Sequence, residues 1–270
     1  MIIIGEKINS TLKATRTAIE AYDAETIQNL AKRQVEAGSD YIDVNAGSFV
    51  DDEPERLAWL VETVQAVIDT PLCIDSPYAV ALEAGLEAYR GDTTPMINSI
   101  TGETERYEAI LPLVLKYKTK VVALCMDDKG MPETSEDRYA IAKDLIERMT
   151  EAGVKQEDIY IDPLVRPVST GPHYGLAAID TIRQVKTEYP KVHIACGLSN
   201  ISFGLPARKL INQTFLIAAM TAGMDGAILD PLDKTLMSFI AAADAVLGRD
   251  EFCLDYLDKY RSGLFDWMVI

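Results

Sequence analysis

Short runs of apolar and β-branched residues recur along the whole chain: Ile2–Ile4, Tyr41–Val44, Leu72–Ile74, Met96–Ile97, Val121–Met126, Ile159–Ile161, His193–Cys196 and Gly226–Leu229. Their hydrophobicity is continuous rather than alternating, which predicts strands buried on both faces, as in a parallel sheet. The stretches between them carry apolar residues at helical spacing. Ala24–Ala37 puts Ile27, Leu30, Ala31 and Val35 on one face and meets a stop signal at Gly38. Leu57–Ile68, Ala79–Tyr89, Glu103–Lys116, Glu136–Ala152, Ala177–Glu188, Asn212–Ala222 and Lys234–Leu247 read the same way. Eight strands, each followed by a helix, predict an α/β fold: a single closed (β/α)₈ TIM barrel with right-handed crossovers. An open doubly wound sheet is the competing arrangement. No GxGxxG follows the first strand and no GxxxxGK[ST] occurs, so nothing points to a dinucleotide or P-loop site.

The 270 residues suit one barrel, and no linker divides them, so residues 1–270 are read as one domain. A tail, Asp250–Ile270, follows the last barrel helix and carries Leu264, Phe265, Trp267, Met268, Val269 and Ile270. Such an apolar terminus needs cover, from the outer helices or from a dimer partner. The longest irregular stretch, Pro163–Gly175, follows the sixth strand, where a long loop is more often functional than not.

Charge and cysteine content narrow the classes. The formal net charge is 26 − 42 = −16, which repels phosphate backbones and argues against nucleic-acid binding. No apolar run is long enough to span a bilayer, and the start, MIIIGEKIN, lacks the basic leader of a signal peptide. Of Cys73, Cys125, Cys196 and Cys253, none forms a CxxC pair and three sit in apolar runs, so neither a disulfide nor a zinc site is expected. A cytoplasmic location fits.

The polar residues are informative by position. The first strand leads to Glu6 and Asn9, the second ends in Asp43 and Asn45, the third in Asp75, the fourth in Asn98, the sixth in Asp162, the seventh in Ser199 and Asn200, and the eighth in Asp230. In a (β/α)₈ barrel those positions converge on one mouth. Buried Asp and Asn are unfavourable unless paired, so a ring of them implies a polar ligand there. From the residues alone two occupants stay open. One is a hard cation such as Mg²⁺ or Ca²⁺ held by oxygens. The other is a polar heterocycle, whose donors and acceptors an Asp and an Asn can match. Zinc is disfavoured by the presence of only two histidines, His173 and His193. Each Asp also has a plainer reading, as the N-cap of the helix that follows.

Six segments in order then carry a resemblance: MIIIGEKIN, DVNAG at Asp43–Gly47, CIDSP at Cys73–Pro77, INSITGE at Ile97–Glu103, IYIDPLV at Ile159–Val165 and CGLSNISFGLPAR at Cys196–Arg208. Together they resemble the methyltetrahydrofolate:corrinoid/iron-sulfur protein methyltransferases, within the pterin-binding barrel superfamily, from Met1 to about Leu247. The resemblance implies that Asp75, Asn98 and Asp162 bind the pterin, Asp162 through the 2-amino group and nitrogen 3. It implies that Asn200 hydrogen-bonds nitrogen 5, the methyl-bearing atom, with Gly197 and Ser199 shaping the backbone beside it. Glu6, Asn9, Asp43 and Arg208 match positions near the site. The implied substrates are tetrahydrofolate or 5-methyltetrahydrofolate and a corrinoid (cobalamin). The chain has no DxHxxG-type corrinoid signature, so a separate corrinoid-binding protein is the expected partner. A homodimer, and no resident metal, are further expectations; the direction of transfer is not implied. Two rivals use the same barrel. A dihydropteroate-synthase-like enzyme needs a Lys/Arg anion pocket at the last strands, where this chain has Ser199–Asn200 and GAILDPL. A non-catalytic pterin-binding module would keep Asp162 and transfer nothing.

Overall fold

The computed structural model describes residues 1–268, so Val269 and Ile270 of the apolar tail lie outside the described residues. Eight parallel strands close into a barrel in chain order: β1 (Ile2–Asn9), β2 (Tyr41–Asn45), β3 (Leu72–Asp75), β4 (Met96–Thr101), β5 (Lys120–Leu124), β6 (Ile159–Asp162), β7 (His193–Gly197) and β8 (Gly226–Leu229). β8 pairs back onto β1 through Ile2↔Gly226 to Gly5↔Leu229. Around them run α1 (Lys13–Glu20), α2 (Ala24–Glu36), α3 (Glu53–Gln65), α4 (Ala79–Ala88), α5 (Thr104–Tyr117), α6 (Ser135–Glu151), α7 (Tyr174–Glu188), α8 (Arg208–Ala222) and α9 (Lys234–Val246). A final helix, α10 (Leu254–Arg261), belongs to the tail.

Alternation along each strand divides the apolar residues into two compartments. Ile3, Ile42, Val44, Ile74, Ile97, Val121, Ile161 and Ile194 face outward and pack with Leu57, Leu60, Leu82, Ile110, Leu145, Ile182 and Leu216 of the helices. Ile4, Tyr41, Cys73, Met96, Val122, Tyr160 and Ala195 face inward and form a second cluster, with Ile2 and Ile228 against it. This inner cluster fills the lower barrel, so the barrel is a cup with a solid floor rather than a channel. Below it His193 stacks on Tyr160 at 4.7 Å and binds Asp225 Oδ2 at 3.0 Å, which makes His193 a structural residue.

Several boundaries differ from the sequence expectation. α1 was not expected: its two turns bury only Thr15, Ala18 and Ile19, too few to establish a period. α3 begins at Glu53 rather than Leu57, because Pro54 lacks only an N–H that the first turn leaves unbonded, and Glu53 and Glu55 complement the helix dipole. β1 and β4 run on to Asn9 and Thr101, past the ends of their apolar runs.

β1 also bulges. Gly5 pairs with Ile42 and Ile8 with Val44, which leaves one extra residue on β1. The bulge coincides with a close approach of α2. A Cβ on Gly5 would lie 2.6 Å from Gln34 Oε1, an atom that accepts the Lys7 N–H at 3.0 Å. The extra residue lets both Glu6 and Lys7 reach the mouth.

The tail packs on α9. Phe265 is buried and lies against Tyr256, with ring centroids 4.8 Å apart, and Trp267 Nε1 donates to Ser238 Oγ at 2.8 Å. The outer-helix reading of the tail therefore holds for its described part.

Candidate active site at the barrel mouth

Two residues further along each strand than the apolar floor, every side chain again points inward. Those positions are Glu6, Asp43, Asp75, Asn98, Leu124, Asp162, Gly197 and Asp230. Six of the eight are acids or amides, so the polar ring sits directly on an apolar floor, where burial weakens solvation of charge.

On one wall the residues stand in register: Asn9↔Asn45, Asn45↔Asp75 and Asp75↔Asn98 on four adjacent strands. Asn45 Nδ2 donates to Asp75 Oδ2 at 2.9 Å, while Asn45 Oδ1 accepts from Ser10 Oγ and the Gly47 N–H, both at 3.0 Å. Asn98 Nδ2 reaches Asp43 Oδ1 at 3.4 Å. Asn9 does not join this network. Its Oδ1 accepts the Thr11 N–H at 2.9 Å and Thr11 Oγ1 at 2.7 Å, so its side chain shapes the turn into α1.

The acids of this wall resist ionisation. Asp43 is 1% exposed, and burial, then the Asp75 and Glu6 charges, push its carboxyl well above the usual carboxylate range. Asp75 is pushed up to about 6 by burial and by Glu53, against the Asn45 hydrogen bond and the Arg106 charge. Glu53, at the start of α3, is buried behind the wall and accepts Ser76 Oγ at 2.6 Å. Arg106 on α5 donates to the Ser99 carbonyl at 3.2 Å.

On the opposite wall Asp162 ends β6 and is also buried. Its Oδ1 accepts the Leu164 N–H at 2.8 Å. The N–H groups of Leu164, Gly197 and Val165 favour its charged form, yet burial outweighs them and raises the carboxyl to about 6. A carboxylate has about four lone-pair directions, so the second oxygen retains capacity for a ligand. Part of the acceptor capacity expected for a ligand is thus used by the β6–α7 loop.

The N-cap reading fails for Asp75, Asp162 and Asp230. Asp162 lies far before α7, the residue preceding α4 is Tyr78, and α9 is capped by Asp233 through the Thr235 and Leu236 N–H groups. Asp230 instead accepts Lys7 Nζ at 3.0 Å and the Leu232 N–H at 3.0 Å.

Beyond β7 the chain makes a tight 3-10 turn, Leu198–Ser202. Asn200 on that turn is exposed, and its side-chain amide makes no hydrogen bond among the described residues. It folds back over the strand end, where a Cβ on Gly197 would sit 3.0 Å from Asn200 Nδ2. Gly197 therefore serves by lacking a side chain. Arg208 opens α8 and braces the turn: Nη2 donates to the Ser199 carbonyl at 2.7 Å and Nε to Ser202 Oγ at 3.0 Å. Ser199 thus acts through its backbone.

Glu6 faces this corner. Burial and the Asp230 charge raise its carboxyl to about 7, against the opposing pull of Lys7 and Arg208. Among the described residues, no three His, Cys, Asp or Glu side chains are grouped to hold a metal ion. The ring offers carboxyl and amide groups converging from different strands, with the unpartnered Asn200 amide on the turn after β7, which suits a flat ligand with mixed hydrogen-bonding edges.

A family described as pterin binding enzyme matches residues 5–230. The chain is 41% identical over 268 residues to a methylcorrinoid:tetrahydrofolate methyltransferase from Eubacterium limosum, covering 97% of each. It is 32% identical over 242 residues to methionine synthase from Mycobacterium tuberculosis, covering 85% of this chain and 20% of that protein; the match thus spans about a fifth of that longer relative. Among solved structures, a dihydropteroate synthase from Yersinia pestis superposes with a TM-score of 0.69 at 16% identity, covering 92% of this chain and 93% of that one. A dihydropteroate synthase from Clostridium difficile gives 0.69 at 19% identity, covering 91% and 96%. At such identities these two share the fold with this chain.

Proposed function

The chain belongs to the pterin-binding enzyme family, and from that premise we propose that it moves a methyl group between nitrogen 5 of tetrahydrofolate and the cobalt of a corrinoid carried by a separate protein. The observation that carries this reading is the unpartnered amide of Asn200, which folds back over the end of β7 into the space that Gly197 leaves by lacking a side chain. The similar protein from Eubacterium limosum is named for this chemistry and matches the chain almost end to end.

The pterin is the first substrate. Asp162 accepts from the 2-amino group and nitrogen 3 with its open oxygen, while Leu164 keeps the other oxygen in place. Asp75 and Asn98 meet the remaining ring nitrogens from β3 and β4, with Asn45 fixing Asp75 and Asp43 fixing Asn98. Asn200 donates to nitrogen 5 as charge develops there. A carboxamide has no proton acidic enough to give up, so its role is electrostatic. Arg208, bonded to the turn that carries Asn200, is a positioning residue.

The dihydropteroate-synthase-like reading fits less well, for a reason in the ion pairs. That chemistry needs free cations for a leaving anion. At this mouth Lys7 is committed to Asp230 and Lys209 to Asp233, and Arg208 to the Ser199 carbonyl.

The same proposal takes residues 1–270 as one unit, since the tail packs on the last barrel helix. It includes a homodimer, supported by exposed Phe252, Leu254, Leu257 and Tyr260 on and beside α10. It places the protein in the cytoplasm, supported by four free cysteines, three of them buried. No helix of the described residues is long and apolar enough to cross a membrane.

Mixing the full chain with 5-methyltetrahydrofolate and free cob(I)alamin tests the reading by absorbance. Conversion to methylcob(III)alamin is expected. A chain that binds the folate yet transfers nothing would be a binding module and would refute the activity.

A further inference from the structure

Methyl transfer to or from nitrogen 5 requires one proton, and the proposed function does not say which group handles it. When the methyl group leaves, the C–N5 bonding pair stays on nitrogen and takes up a proton, while the carbon bonds to Co(I) and yields methyl-Co(III). In reverse the N5 lone pair takes the methyl carbon, Co(I) departs with the bonding pair, and nitrogen 5 releases its proton. Asn200 can do neither.

The acids of the mouth differ in how far they are committed. Asp43 is buried, bonded by Asn98 and packed against Cys73 of the floor. Asp75 is bonded by Asn45, Asp162 by Leu164, and Asp230 by Lys7 and Leu232. The Glu6 side chain alone among them makes no hydrogen bond within the described residues, although it stands half-buried on the inner face of β1. The β1 bulge carries it into the corner shared by Asp230 and Arg208, and Arg208 is bonded to the turn that bears Asn200.

Resting on the methyl-transfer reading, we infer that Glu6 is the proton carrier of the site, giving a proton to nitrogen 5 when the methyl group leaves and receiving it when the methyl group returns. The step requires Glu6 to meet nitrogen 5 directly or through one water, and the link between its corner and the Asn200 turn is Arg208. Every charge that faces it is identifiable: Asp230 after β8, Lys7 beside it on β1, Arg208 on α8 and Asp43 on β2. α1 and α2, which also pack on β1, present the uncharged Thr15 and Gln34. These surroundings hold the carboxyl near 7, where one group can serve as acid or base at neutral pH.

The test measures single-turnover transfer across pH in both directions: 5-methyltetrahydrofolate to cob(I)alamin, and methylcob(III)alamin to tetrahydrofolate. The wild-type chain should lose rate in the first direction as pH rises through about 7, and in the second as pH falls through about 7. Glu6→Gln should slow both by about 10²–10⁴-fold and abolish the inflection, with the folate dissociation constant unchanged. Glu6→Asp should restore a pH-dependent rate. A wild-type profile without opposed inflections overturns the inference whether or not Glu6→Gln folds. So does a Glu6→Gln chain with wild-type rates and profile; in that case methyl transfer itself stands. A wild-type chain that transfers no methyl group overturns the proposed function, and this inference with it.

Discussion

Asp162 links stability and ligand binding through one carboxyl, and Asp162→Asn separates the two. Burial raises its pKa from 3.8 to about 6, a shift of about two units, worth about 3 kcal/mol. The sign follows from proton linkage. A carboxyl whose folded pKa lies above its unfolded value binds more proton in the folded state between the two, so stability falls as pH rises through that window. Below pH 4 the penalty is nearly absent, and above pH 6 it is fully present. Between pH 5 and pH 8 the wild-type chain should therefore lose about 1.5 kcal/mol from this group alone. Asp162→Asn does not titrate and should lose that component, while Glu6, Asp43 and Asp75 titrate alike in both chains and cancel. Urea unfolding at pH 5 and pH 8, on both proteins, reads the difference of differences. Binding should move the other way. The amide keeps the Leu164 bond but replaces a charged acceptor with a donor, and hydrogen bonds to charged groups are worth about 1.5–3 kcal/mol. Folate affinity by calorimetry should fall by about 10–100-fold. Parallel pH dependences of stability together with an unchanged folate affinity would refute the reasoning on both counts.

Asn200→Ala should keep the fold and the folate affinity and lose about 10²–10³ in single-turnover transfer, as expected when one donor to a developing charge is removed. Gly197→Ala has no backbone obstacle, since φ there is −65°, but its methyl group would press on Asn200 Nδ2 at 3.0 Å. It should therefore copy the kinetic defect of Asn200→Ala with an unchanged melting temperature. Gly5→Ala should do the opposite: forcing a Cβ to 2.6 Å from Gln34 Oε1 should destabilise the chain by about 1–3 kcal/mol, measured by urea unfolding.

Much of this site is visible in the sequence because strands have a period of two and apolar runs mark where each one stops. Asp43, Asp75, Asn98, Asp162 and Asp230 can be placed at the mouth by counting onward from those runs. The count misleads at β1, where the bulge shifts the parity and brings Asn9 into register with Asn45, while Thr11 takes the Asn9 side chain into its own turn. Glu53 and Arg106 stay hidden because they approach from helices, and nothing in a helical pattern marks a charged residue that folds inward behind a strand. Ser199 contributes a carbonyl, an atom common to every residue. α1 escapes because eight residues make barely two turns. The elevated acid ionisations follow from packing the ring against an apolar layer, which no local motif encodes.

That apolar layer has a consequence for timing. Ile4, Tyr41, Cys73, Met96, Val122, Tyr160 and Ala195 close the cup from below, so water and hydrogen ions reach the ring only through the open end. A protein docked over that end would isolate the ring from bulk solvent. The cup must then begin each visit already loaded or already empty, and re-equilibrate only once the visitor has left. Buffer exchange would act on the interval between encounters rather than on the transfer itself.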